Sequence, residues 1–167
     1  MSAITSRAMH DFVYLASQSP RRAQLLDQLG VRHQWLLAGD DEDAEALEAE
    51  RRAEPPLAYV ERVTRAKLAA ARRRLAARAL PAAPILVADT TVALGRRILG
   101  KPADAGQARR MLAALSGQTH RVLTAVAVGA GRQTLFALNA SRVHFAAIAT
   151  AELGVAVCDQ RLDDGLV

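Results

Sequence analysis

Lysine is almost missing from this chain. Of its 22 basic residues only Lys67 and Lys101 are lysines, and the other 20 are arginines. The net charge of +5 and a pI near 10.3 raise the question of nucleic acid. Such an arginine skew reflects genome composition or surface choice before a surface dedicated to polyanions. Aromatic residues make up only 4% of the sequence and are scattered, so a base-stacking platform is absent and nucleic acid ranks low as a partner. The single cysteine, Cys158, excludes an internal disulfide framework and fits a reducing cytoplasm. No Cys/His grouping suggests zinc. No apolar run approaches a membrane span, and Met1 to Asp11 lacks the apolar centre of a secretory signal. These exclusions leave a cytoplasmic chain with no membrane partner, of a length that suits one domain.

What is present centres on Ala16-Ser17-Gln18-Ser19-Pro20-Arg21-Arg22. A β-prone run, Phe12 to Ala16, feeds into it, and a helical pattern with Leu25, Leu26 and Leu29 on one face follows, stopped by Gly30. A strand-to-helix turn offers free N–H groups and the positive end of a helix dipole, both of which favour an anion. Ser17 and Ser19 add hydroxyl donors, and Arg21 and Arg22 add charged planar forks. The same residues also read as a Ser cap, a first-turn proline and two solvated arginines.

Gln34 to Leu37 reads as a short strand leading to the acidic run Asp40-Asp41-Glu42-Asp43. That run is either a solvated loop or helix start, or a wall of a metal or phosphate site. Ala44 to Arg52 is helix-prone, and Pro55-Pro56 interrupts it. A long helix is expected from about Leu57 to Ala79, with Leu57, Val60, Thr64, Leu68, Ala71 and Leu75 on its apolar stripe. Lys67 lies at the stripe's edge, where it either snorkels, pairs with a carboxylate or points into a cleft. In a chain that writes almost every cation as arginine, a retained lysine suggests a compact ammonium at a crowded phosphate or carboxylate.

Ile85 to Ala88 is a continuous apolar run typical of a central strand, and it is expected to end at Asp89-Thr90-Thr91. A carboxylate there is costly unless partnered, and strand ends are where open α/β sheets place ligands. Gly95-Arg96-Arg97 reads as a turn and Gly100-Lys101-Pro102 as a rigid loop. Asp104 is a candidate N-cap for a helix with Ala108, Met111, Leu112 and Leu115 on one face, ended by Ser116-Gly117. Thr119 to Val128 and Thr134 to Phe145 read as a hairpin joined at Gly129-Ala130-Gly131.

The ordered stretches LASQSPRR (15–22), LLDQLGV (25–31), the acidic run at 40–43, the Lys67 helix, VADTTV (87–92), LGKPAD (99–104) and LSGQTHRVLTAVAV (115–128) resemble the Maf family of nucleoside triphosphate pyrophosphatases. The resemblance covers roughly residues 12 to 153. It implies an α/β fold with an elongated mixed β-sheet flanked by helices, similar to inosine triphosphate pyrophosphatases, with a nucleotide cleft between two lobes. It implies that Asp89 is the proton acceptor and that Ser17, Arg22, Lys67 and Lys101 hold the triphosphate. Glu42 matches a site carboxylate that with Asp89 would hold a divalent metal cation, Mg²⁺ or Mn²⁺, Asp41 being the alternative to Glu42. Arg21 and Thr90 match positions of substrate preference and look like the branch that prefers dTTP and UTP. The 7-methyl-GTP branch and a catalytically silent nucleotide-binding or cell-division regulatory protein are the rival readings. The family commonly forms dimers, so a homodimer is expected.

The expected organisation is a disordered 1–11, a Maf-like domain over 12–153 and a divergent tail over 154–167. After Glu152-Leu153 the family's KAGAY-like continuation, with a glutamine associated with base recognition, gives way to Gly154-Val155-Ala156-Val157-Cys158. A frameshift, a truncated paralogue and a fragment would each give this, and the abruptness favours the first. The expected consequence is an incomplete C-terminal lobe that leaves apolar faces and strand edges bare.

Overall fold

The computed structural model describes residues 10–40 and 42–149. Asp41, the first nine residues and everything from residue 150, including the expected tail and Cys158, lie outside the described residues. Strand β1 (Val13–Leu15) enters helix α1 (Pro20–Gln28), and β2 (His33–Trp35) follows. A 3-10 turn at Glu45–Glu48 precedes the long helix α2 (Pro56–Ala77). Then come β3 (Ile85–Leu94), β4 (Arg97–Leu99), helix α3 (Ala105–Leu115) and the hairpin β5 (Thr119–Ala130) and β6 (Gln133–His144).

The sheet is mixed. Its strand order is β2-β1-β3-β5-β6, with β1 parallel to both β2 and β3, and with β3, β5 and β6 antiparallel in sequence. Strand β4 folds back on the far half of β3. On that side of β3, pairing with β1 ends at Leu86 and pairing with β4 begins at Val92. Residues 87–91 thus face an interval without a ladder partner. The expected strand end at Asp89 is corrected here: β3 runs on through it, and Asp89 is opposite Ala125 of β5. The polar triplet is tolerated mid-strand because its side chains are partnered, Asp89 by Lys67 and Thr91, and Thr90 by Thr124.

Helix α2 covers one face through Val60, Val63, Thr64, Leu68 and Ala71, all buried, against Val87, Ala93, Leu123, Ala125 and Ala127. At about 25 cal/mol per Å² of apolar surface removed from water, this contact is the main stabilising layer. Leu57, expected on the stripe, is exposed, while Tyr59 is buried in its place. The approach is close: a Cβ at Gly129 would stand 2.9 Å from Leu68 Cδ1. Residues Val92, Leu99 and Leu115 form a second cluster, with Met111 and Phe145 against it. Helix α1 packs through Ala23 and Leu26 on Leu15 and Leu86. Only Leu26 of its three predicted apolar residues is buried, since Leu25 and Leu29 point outward. Gly30, at φ +67°, ends it as expected. The segment 44–52 makes only the short 3-10 turn, and its carbonyls at 47–49 accept from Tyr59 and Arg62 of α2.

Candidate active site

The turn between β1 and α1 is fastened by its own hydroxyl. Ser17 Oγ accepts from the Ser19 backbone N–H at 3.2 Å and from Arg22 Nη1 at 2.8 Å. Both acceptor positions of the hydroxyl are used, which leaves its proton to donate outward. Ser19 is extended at the N-cap position without a side-chain cap, and Pro20 opens the helix. Arg22 is half-buried; burial lowers its pKa, while the charges of Asp89 and then Glu48 oppose that shift. Those two carboxylates are therefore its electrostatic neighbours.

Opposite this turn, the Lys67 ammonium reaches from α2 to Asp89 Oδ1 at 2.6 Å and to Glu48 Oε1 at 2.8 Å. Asp89 is buried, and its other oxygen accepts from Thr91 Oγ1 at 3.2 Å. Asp89 and Thr91 share one face of β3 because side chains alternate along a strand. Thr90 projects to the other face and pairs with Thr124 across the ladder at 3.2 Å. Tyr59 borders the same carboxylates, and burial first, then Asp89 and Glu48, push its hydroxyl up to about 12.

The remaining predicted residues stand apart. Glu42 receives a two-pronged pair from Arg74, Nε to Oε1 and Nη2 to Oε2, each at 2.7 Å. Arg74 also donates to the buried Leu36 carbonyl at 2.7 Å, so this pair straps the acidic loop to α2. The Arg74 hydrogen bonds hold the Glu42 carboxyl below its ordinary value of 4.5. A cavity of about 310 Å³, lined by Glu42, Leu47, Ala70 and Arg74 among others, adjoins that strap and takes in none of Ser17, Arg22, Lys67 or Asp89. Lys101 and Arg21 are exposed, and neither makes an ion pair among the described residues.

Glu42 and Asp89, the expected metal pair, share no partner: each carboxylate has its own cation. Among the described residues no group of three or more His, Cys, Asp or Glu side chains is placed to hold a metal ion. A closed cage is therefore not what these residues build. Asp89 and Glu48, bridged by one ammonium, fit the looser demand of Mg²⁺ carried by a nucleotide, which takes one or two carboxylates and completes its shell with phosphate and water. Glu48 escaped the sequence reading because it is one of three glutamates, with Glu45 and Glu50, in a stretch without a distinguishing neighbour.

The family profile described as Maf-like protein matches residues 12–160. This chain belongs to the Maf family. The Maf chain is 64% identical over 143 residues to a dTTP/UTP pyrophosphatase of Polaromonas sp. strain JS666, covering 86% of this chain and 71% of that protein. It is 61% identical over 145 residues to a dTTP/UTP pyrophosphatase of Albidiferax ferrireducens, covering 87% and 72%. Among solved structures, the Staphylococcus aureus Ham1 protein aligns with a TM-score of 0.47 at 12% identity, over 79% of this chain and 70% of that one. The sheet is six-stranded, mixed and flanked by helices, as expected. Among the described residues no helix is long and apolar enough to cross a membrane.

Proposed function

We propose that this Maf chain hydrolyses dTTP and UTP, with modified pyrimidine triphosphates, to the nucleoside monophosphate and pyrophosphate. The observation that carries the reading is the Lys67–Asp89 pair at 2.6 Å, set beside the Ser17–Arg22 turn over the unpaired interval of β3. Relatives at 57–64% identity bear the pyrimidine name, which favours this substrate class over 7-methyl-GTP.

In this reading the Ser17 hydroxyl donates to a phosphate oxygen, the Arg22 fork and the Lys67 ammonium neutralise neighbouring oxygens, and Lys101 closes over them. Such donors lower the barrier most where negative charge grows, on the departing pyrophosphate. Asp89 takes the proton of a water whose oxygen bonds to phosphorus as the bridging P–O bond breaks, and the pyrophosphate leaves with the bridging oxygen. A divalent cation bound at Asp89 would supply further neutralisation of the phosphates. Glu42, engaged by Arg74, holds the acidic loop in place beside the site. Arg21, at the rim, and Thr90, on the opposite face of β3, are the proposed contributors to substrate choice. A cytoplasmic homodimer accords with this reading, and sedimentation would measure the dimer.

The test is pyrophosphate release from dTTP and UTP with Mg²⁺ or Mn²⁺. Asp89→Asn is expected to lower turnover by at least about 100-fold, the scale of a lost general base, while nucleotide binding persists. Unchanged hydrolysis in Asp89→Asn removes that residue from the role.

A further inference from the structure

Three successive carbonyls of the loop ahead of α2 are claimed by side chains of that helix. Leu47 O accepts from Arg62 Nη1 at 3.2 Å, Glu48 O from the Tyr59 hydroxyl at 2.8 Å and Ala49 O from Arg62 Nη2 at 2.9 Å. Arg62 is itself fixed by Glu54 at 2.6 and 2.7 Å. Side chains from a single helix thus fasten the backbone on both sides of Glu48, far more than a solvated connector needs. The side chain so placed meets Lys67, whose ammonium sits on a flexible four-carbon stem and would otherwise have Asp89 as its one anchor.

We propose that Glu48 is a positioning residue: it shares the Lys67 ammonium with Asp89 and, as a second anchor, fixes where that ammonium stands. With two anchors, the ammonium is held in place at the site, where a phosphate oxygen would meet it. Asp89 in turn keeps lone-pair capacity for a water proton. Glu48 is half-exposed at its carboxylate, so it stands on the solvent side of the pair. Sequence marks residues 44–52 only as helix-prone, and neither the phosphate clamp nor the proton acceptor includes Glu48. The proposal rests on the hydrolase reading for its kinetic consequence and on the ion-pair geometry alone for the anchoring itself.

The near-absence of lysine makes the test direct. Protein labelled with ¹⁵N-lysine has only two side-chain ammonium groups, Lys67 and Lys101. The Lys67 ammonium is expected to give a slowly exchanging signal that disappears in Lys67→Arg. In Glu48→Ala it is expected to broaden or shift, while Glu61→Gln, which touches only the exposed Arg65 pair, leaves it in place. A Lys67 signal unchanged in Glu48→Ala overturns the anchoring. In turnover assays Glu48→Ala is expected to lower kcat about tenfold with little change in KM, as for a misplaced group that acts in the transition state. Glu48→Asp recovers part of the loss, and Glu48→Ala adds nothing once Lys67 is Met, because the effect passes through that lysine. A full additional loss in the Lys67→Met background overturns the positioning role. If the unmodified protein fails to hydrolyse dTTP or UTP, the functional reading falls, and the ammonium signal still decides whether Glu48 anchors Lys67.

Discussion

Replacing Arg74 by Met tests how the acidic loop is held. The guanidinium is nearly buried and makes three bonds of 2.7 Å, two to Glu42 and one to the Leu36 carbonyl. Leu36 is fully buried, so its carbonyl loses its partner without gaining water, a loss of about 1–2 kcal/mol. The carboxylate of Glu42 is 29% exposed and rehydrates when abandoned, so the ion-pair part is worth only about 1 kcal/mol after screening. Methionine fills similar volume and avoids desolvating a charge, which offsets some of this. The net expectation at pH 7 is a destabilisation of about 2 kcal/mol in urea unfolding. Its pH dependence separates the parts. The folded-state pKa of Glu42 is depressed, so its contribution is complete above about 4.5 and is lost as pH falls toward the depressed value. The gap between Arg74→Met and the parent should therefore narrow between pH 7 and pH 3 but not close, the residue being the Leu36 carbonyl. Glu42→Gln, which leaves that carbonyl paired, should cost less than Arg74→Met at pH 7. An equal cost in the two variants, or a gap that does not change with pH, refutes this partition.

Alkaline difference spectroscopy should show Tyr59 ionising near 12, about two units above 10, and Tyr59→Phe should remove that late step. Because its folded-state value is raised, stability linked to Tyr59 is complete below pH 10 and declines as the pH climbs toward 12. Leu123→Ala empties a fully buried position among Val60, Val63 and Ala125 and should cost about 3 kcal/mol in urea unfolding. Asp104 Oδ1 accepts from the Gln107 N–H at 2.6 Å, so Asp104→Ala should cost about 1 kcal/mol, and Asp104→Asn much less.

Part of the candidate site's geometry is legible in the sequence because its signals are local. The strand-turn-helix at Ser17 to Arg22, the isolated Lys67 at the edge of a helical stripe and the carboxylate after an apolar run each carry a pattern within about ten residues. The hairpin β5–β6 and the Asp104 cap were legible for the same reason. What escaped depends on neighbours far along the chain. Helical spacing puts Arg74, seven residues after Lys67, on the buried side of α2, but nothing local names its partner, a carboxylate 32 residues away. Periodicity places β3 but cannot tell that β5 pairs with it without a break from Ile85 to Ala93, which is why the strand continues through a polar triplet. Leu25 and Leu29 follow a helical stripe, but α1 is short and lies on the sheet through Ala23 and Leu26.

The position of β1 has a kinetic consequence. Strands β3, β5 and β6 are joined in antiparallel sequence, with only β4 and α3 between the first two, whereas β1, which has β2 as a nearer neighbour, meets β3 only across some seventy residues of chain. Closing that long loop is entropically slow compared with forming the hairpin. The meander should therefore form first and accept β1 late, with backbone amides of β5 gaining protection in pulsed hydrogen exchange before that of Tyr14. Since β1 carries the Ser17–Arg22 turn with it, that part of the candidate site arrives last. A chain stalled at the earlier stage would bear Asp89 in a folded meander and still lack the Ser17–Arg22 turn beside it.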